Sequence, residues 1–327
     1  MALTFTDEPL AQVIATLEAR LETLGAGEWL SFFALEPDLG VGLFAGEGTE
    51  VGGVRYRHRP LRVWLELAER LGCRLHTPER GVEPSGAGGV LVKLSLSKLR
   101  AGSWHGAKGI GEKGTGEEGA GEGAASDYGH DSEFARVQKL EEPTFWLDYT
   151  EALARTALAP KGRVLSLGVG RGDELIPFRT LFAGHNLSFT GIDRSVSALQ
   201  RARERFPGEA YRFIRADLGD LGRLELGRFE LVVSVATFQS PGVRGHTLIH
   251  EVVQHHLTER GSLVIALPNC RYRGGEVVYG AKLKNFSQPD LSLVVKDLAF
   301  YRKYLQQHRF RVFITGKYYL FLTAVRP

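Results

Sequence analysis

From residue 144 to the C-terminus, apolar runs of strand length alternate with segments of helical periodicity, and this alternation constrains the fold more than any other feature. A helix near 144–157 leads to a strand at 163–167, a helix from Asp173 to a strand at 188–192, and a helix near 195–206 to a strand at 211–215. A strand at 229–235, a helix near 248–257 and a strand at 262–267 follow, then a helix near 293–308 and two strands at 310–314 and 318–324. A parallel pair needs a crossover, which these helices supply, so the pattern predicts a mostly parallel sheet covered on both faces. Only Thr315, Gly316 and Lys317 separate the last two strands. Such a tight turn joins antiparallel neighbours, so one edge strand is expected to run against the rest.

The first strand of this series runs into Gly168-Val169-Gly170-Arg171-Gly172-Asp173 and then into a helix. Glycines let the backbone approach a ligand closely, and a helix start offers free N–H groups. Alone, a G-x-G-x-G serves a dinucleotide or is only a tight turn. Further strand ends sharpen it. The second strand ends in Gly191-Ile192-Asp193, an acid about 20 residues beyond the glycines and placed to accept from both ribose hydroxyls. The third ends in Arg215-Ala216-Asp217, and the fourth, ending in Ser234-Val235, is followed by Ala236-Thr237-Phe238-Gln239. Several strand ends converging mark a site at the carboxyl edge of the sheet.

These motifs, in this order, resemble the class I S-adenosylmethionine-dependent methyltransferases over roughly residues 142–327. The resemblance implies a Rossmann-like, seven-stranded mixed sheet with an antiparallel C-terminal hairpin, the hairpin separating it from nicotinamide-binding domains. It implies that Gly168, Gly170 and Gly172 line the methionine moiety of S-adenosyl-L-methionine, that Asp193 holds the ribose, and that Ala216 and Asp217 meet the adenine. It sets Ser234 and Val235 beside the cofactor and Thr237 to Gln239 toward the acceptor. The family usually carries an acid two residues before the first glycine, near the cofactor's ammonium group; here that residue is Ser166. Asp173 could substitute, or could serve only as a favourable charge in a first helical turn. Arg171 could pair with the cofactor's carboxylate or lie in solvent. A methyl transfer needs alignment and exclusion of water more than a fixed catalytic group, so the cofactor motifs name no catalytic residue.

Candidate acceptor contacts lie in three places. Tyr128 and Glu133 sit just before the domain, where the family often covers its cofactor, and Gln239 follows the fourth strand. After the fifth strand come Asn269 and Cys270, the thiol read as incidental, then an insertion with Tyr279, Lys282 and Asn285. His246 and His250 fall on a packed helix and read as bland. The run His250-Glu251-Val252-Val253-Gln254 is not H-E-x-x-H, so no metal is expected.

Residues 1–100 read as a small α/β domain for substrate recognition or dimerisation, with helices over 10–24 and 61–71 and strands near 30–35, 42–45 and 89–96. The Gly-rich stretch 101–127 has almost no large apolar residue and reads as a linker. Residues 128–327 then form the methyltransferase domain. No apolar run reaches the ~18 residues needed to cross a bilayer, no signal peptide is evident, and two distant cysteines make no disulfide framework, so a cytoplasmic enzyme without a membrane partner is expected. The net charge is +3, but from Arg271 onward eleven Lys or Arg face three acids. With an extended Arg55, Arg57, Arg59 comb, this permits RNA as acceptor. A small-molecule or protein acceptor, or a non-catalytic cofactor-binding module, are the alternatives.

Overall fold

The computed structural model describes residues 2–40, 43–82, 90–99, 137–156, 158–240, 242–273, 276–279 and 291–326. The chain divides into two compact units, Met1–Ser103 with Tyr272–Val278, and Trp104–Arg271 with Tyr279–Pro327.

In the first unit, α1 (Leu10–Glu22) and α2 (Leu61–Arg70) cover a three-stranded antiparallel sheet of β1 (Trp29–Leu35), β5 (Leu91–Lys98) and β4 (Cys73–Leu75), in the order β1-β5-β4. Val13 and Leu17, four apart on α1, meet Phe32, Trp64, Leu94 and Leu96 in its core. Residues 43–47 are not a strand, contrary to the expected strand at 42–45. Instead β2 (Gly48–Val51) and β3 (Val54–Arg57) form a separate two-stranded ribbon. The arginine comb lies along that ribbon and is consumed within the unit. Arg55 and Arg57 both pair with Asp7, at 3.4 and 3.2 Å, and Arg59, only 4% exposed, donates to the Glu8 carbonyl and lies over Trp64. It therefore offers no row of free cations to phosphates.

The second unit is built on β6 (Arg163–Leu167), β7 (Ser188–Asp193), β8 (Tyr211–Arg215), β9 (Phe229–Val235), β10 (Leu257–Pro268), β13 (Arg311–Thr315) and β14 (Tyr319–Val325), in the order β13-β14-β10-β9-β6-β7-β8. β6 to β10 are mutually parallel, and β14 is antiparallel to both β10 and β13. This is the seven-stranded mixed sheet expected, with one correction: the reversed strand is not at the edge. β14 inserts between β10 and β13: five of its seven residues are buried, whereas none of the five of β13 is, as befits an inner strand beside an edge strand. The helices are α3 (Pro143–Ala154), α4 (Ile176–Leu181), α5 (Val196–Arg205), α6 (Gly245–Glu251) and α7 (Leu291–Gln307). α6 runs on into a π-helical turn, Val252–His256, whose His256 imidazole is 3.4 Å from Glu251. In sequence β10 is followed by a two-stranded ribbon, β11 (Cys270–Arg273) with β12 (Glu276–Tyr279), most of whose residues belong to the first unit.

The topology places the site. The chain moves outward from β6 to β7 and β8, then returns to β9 on the other side of β6. Connections leaving β6 and β9 therefore diverge, opening a crevice at their carboxyl ends.

Candidate cofactor site

A cavity of about 670 Å³ occupies that crevice. Its wall begins with the glycine loop. Gly168 N–H donates to the Ile192 carbonyl at 2.8 Å, which pins the loop to the neighbouring strand. Gly168 and Gly170 have φ of 72° and 51°, in the left-handed region open to glycine. A Cβ on Gly170 would meet nothing within 4 Å, so that backbone faces open space in the cavity. Gly172 is outside the lining; a Cβ there would strike Phe206, 2.7 Å away, so this third glycine serves packing.

Asp193, at the end of β7, is the centre of the arrangement. Its Oδ2 accepts from Gly170 N–H at 2.9 Å and its Oδ1 from Ser195 N–H at 2.8 Å. Burial raises its pKa above the usual carboxylate value, while these two hydrogen bonds and Arg194 oppose the rise. Each carboxylate oxygen keeps a second lone pair, enough for two ligand hydroxyls. Ser195 in turn caps α5, its Oγ accepting from Ala198 N–H. At the end of β8, Ala216, Asp217 and Leu218 line the cavity, and Asp217 Oδ1 accepts from Gly219 N–H at 2.7 Å. Val235, Ala236 and Thr237 close it from β9.

Asp173 is the acid expected to stand in for the one absent at 166, or to serve only as a first-turn charge. The structure occupies both of its oxygens elsewhere: Oδ2 is 2.7 Å from Arg171 Nε, and Oδ1 pairs with Arg205. Arg171 is likewise held, also donating to the Val137 carbonyl at 2.9 Å. The residue that was missed is Glu174. It lines the cavity, is 6% exposed, and its Oε1 accepts from Ser166 Oγ at 2.7 Å. Burial raises its pKa from 4.5 to about 7, against the opposing pull of Lys139 and the Ser166 hydrogen bond. The Tyr149 hydroxyl fixes its backbone by donating to its carbonyl at 3.0 Å. Position 166 thus keeps a carboxylate next to it, delivered from eight residues downstream through a hydroxyl. Only the three-dimensional turn after β6 brings the two together.

The other predicted residues separate. Ser234 is fully buried and donates to the Leu167 carbonyl at 3.1 Å, which ties β9 to β6; it is outside the lining. Asn269, also buried, donates through Nδ2 to the Lys317 carbonyl and through its backbone to Tyr318, so it braces the β13–β14 turn. Gln239 lines a second, smaller cavity. Tyr279 ends β12, and its side chain is outside the described ones; Tyr128, Glu133, Lys282 and Asn285 lie outside the described residues. Cys270 is buried and forms no disulfide among the described residues. The His250 ring lies tilted at 41° against Tyr304, with 4.1 Å between centroids.

The residues present fit S-adenosylmethionine. An open glycine backbone, a carboxylate with spare lone pairs, a buried second carboxyl and an apolar slot of Ala216, Leu218 and Val235 match its methionine, ribose and adenine parts.

Residues 164–261 match the family model described as a methyltransferase domain. The trans-aconitate 2-methyltransferase of Paracidovorax citrulli (strain AAC00-1) is 33% identical over 121 residues, covering 37% of this chain and 44% of that protein. The chain thus spans less than half the length of that relative. Two solved structures are similar at lower identity. A SAM-dependent methyltransferase from Aquifex aeolicus is 15% identical, with a TM-score of 0.42 over 59% of this chain and 98% of the other. The methyltransferase in a complex with the Haloferax volcanii Trm112 activator is 16% identical, with a TM-score of 0.44 over 64% of this chain and 100% of the other.

Proposed function

We propose that this protein, whose residues 164–261 match a methyltransferase-domain model, transfers the methyl group of S-adenosylmethionine to a small-molecule acceptor. The observation that carries this reading is the convergence of Gly170, Asp193 and Asp217, from the ends of three adjacent strands, on one cavity. When bound, S-adenosylmethionine supplies an electrophilic methyl carbon and a thioether leaving group. The chain's own residues bind and orient. Asp193 accepts from the ribose hydroxyls with the lone pairs that Gly170 and Ser195 leave free. Asp217 accepts from the adenine amino group beside the apolar wall of Ala216 and Leu218. Glu174 holds the ammonium group, the task the family gives to an acid at position 166. Thr237, at the end of the β9 wall, marks the side from which the acceptor enters.

The test is a calorimetric titration of the purified protein with S-adenosylmethionine. Wild type is expected to bind with micromolar affinity. Asp193→Ala should bind about ten- to a hundredfold more weakly, the worth of hydrogen bonds to a charged group. Asp193→Asn, which keeps an acceptor oxygen, should fall between. No binding to wild type would overturn the reading.

The acceptor class has its own support. The matched Paracidovorax citrulli relative is named a trans-aconitate 2-methyltransferase, which makes small organic acids the first acceptors to try. RNA keeps one favourable observation, the exposed cations Lys296, Arg302 and Lys303 along α7. An RNA acceptor requires an affinity that falls by orders of magnitude between 50 and 200 mM salt. A small acid bound in a pocket does not.

A further inference from the structure

A second cavity, of about 250 Å³, opens between the loop after β9 and the helices α6 and α7. Gln239, Arg244, His246, Asp297 and Tyr301 line it, and it shares Val243 with the cofactor cavity. It is small beside the usual 300–1,000 Å³ of ligand pockets and next to the place where the methyl group would be delivered.

Its floor carries an unusual group. Gln239 is 3% exposed, and among the described residues neither Oε1 nor Nε2 of its amide has a hydrogen-bond partner. Most buried polar side chains are satisfied, because stripping an amide of water without replacing its hydrogen bonds is costly. An amide left with both a donor and an acceptor open, in the wall of a cavity, is matched by a ligand group that offers both in return.

The mouth carries the charge. His246 Nε2 lies 3.1 Å from Asp297 Oδ1, and its ring stacks on Phe300 with 3.9 Å between centroids. Asp297, with its side chain 12% exposed, is therefore occupied in orienting the imidazole. Arg244 makes no ion pair among the described residues. With Asp297 taken up by His246, the cavity presents one uncompensated guanidinium, an oriented imidazole and an amide. Tyr301 closes the pocket against Gly245, where a Cβ would collide with its hydroxyl and come within 3.0 Å of the Phe238 carbonyl.

We propose that this cavity is the acceptor pocket and that it takes a small polycarboxylic acid, one carboxyl of which enters protonated and both donates to and accepts from the Gln239 amide, while another, ionised, is met by Arg244. The proposal rests on the methyltransferase reading, since it names what that activity acts on. His246 is a positioning residue at the mouth, held by Asp297.

Two measurements test it. The first needs no ligand: Gln239→Leu removes an unsatisfied amide and should raise Tm by about 2–4 °C. A fall in Tm would show that the amide is satisfied within the fold and overturn the proposal. The second uses malate, citrate and trans-aconitate as probes, titrated into the full chain saturated with S-adenosylhomocysteine. At least one acid should bind, and Gln239→Leu and Arg244→Ala should each weaken it tenfold or more while S-adenosylmethionine affinity stays within twofold. Failure of every acid to bind, or binding that ignores both substitutions, overturns the proposal. So does Gln239-dependent binding of an RNA oligonucleotide instead of the acids. Loss of S-adenosylmethionine binding by wild type would instead remove the methyltransferase reading, so the two failures are distinct.

Discussion

Glu174→Gln is expected to make the cofactor-free protein more stable at pH 8 by about 3 kcal/mol, and to change almost nothing at pH 4. The sign follows from the direction of the shift. Burial raises the Glu174 pKa from 4.5 to about 7, so between those values the native state holds a proton that the unfolded chain has lost. Stability then falls as pH rises through that window, by about 1.4 kcal/mol for each unit of difference. Glutamine imitates the protonated form and still accepts from Ser166, so it escapes the loss. Thermal denaturation of both proteins across pH 4–8 checks it, and parallel curves would show that Glu174 does not titrate in this range.

The same substitution should reverse its sign for the cofactor. A ligand ammonium placed against Glu174 favours the ionised carboxylate, so binding releases a proton below pH 7. Affinity of the wild type should weaken about tenfold for each pH unit below 7. It should also fade above about pH 8, where an α-amino group begins to lose its own charge. Glu174→Gln should bind weakly and without this slope. Calorimetry in buffers of different ionisation enthalpy reads the proton directly, and an unchanged slope in the variant would remove Glu174 from the cofactor site.

Gly168→Ala is expected to destabilise the fold by about 2–5 kcal/mol and to abolish cofactor binding. Its φ of 72° costs a side chain about 1–2 kcal/mol, and the new methyl would overlap Thr237, whose Cγ2 and Cβ would be 2.7 and 2.9 Å away. Pairing it with Thr237→Gly should recover the steric part and leave the backbone part, which a double-mutant cycle by denaturant unfolding separates. Gly170→Ala is the contrast: with nothing within 4 Å of its Cβ it should cost only the backbone term, yet still obstruct the ligand. Equal destabilisation by the two substitutions would contradict this account of the loop.

Much of this site was readable along the chain because it is built at strand ends. Strand period and turn residues place Gly168, Asp193 and Asp217 without coordinates, and parallel pairing brings successive carboxyl ends to one edge. Glu174 was not readable. Its number in the chain puts it one place after the more conspicuous Asp173, and no periodicity says which of two adjacent acids turns inward. Both acids line the cavity, but Arg171 and Arg205 take up the two oxygens of Asp173, whereas Glu174 turns to Ser166. The histidine at 246 is exposed, as its place on an amphipathic helix implies; what the sequence hides is its carboxylate partner, Asp297, 51 residues away on another helix.

The amino-acid order by itself determined the alternation of strand and helix, and with it a parallel sheet whose edge gathers the glycine loop and the acid of β7, since these depend on local spacing and short connections. It also determined the final hairpin, because three residues can only turn the chain back. Tertiary packing alone decided that β14 would lie inside the sheet, that the arginines of β3 would be spent on Asp7, and that a buried glutamate would answer for the serine at 166. Each of these depends on which distant side chains share a desolvated space, and burial and charge pairing are properties of that space.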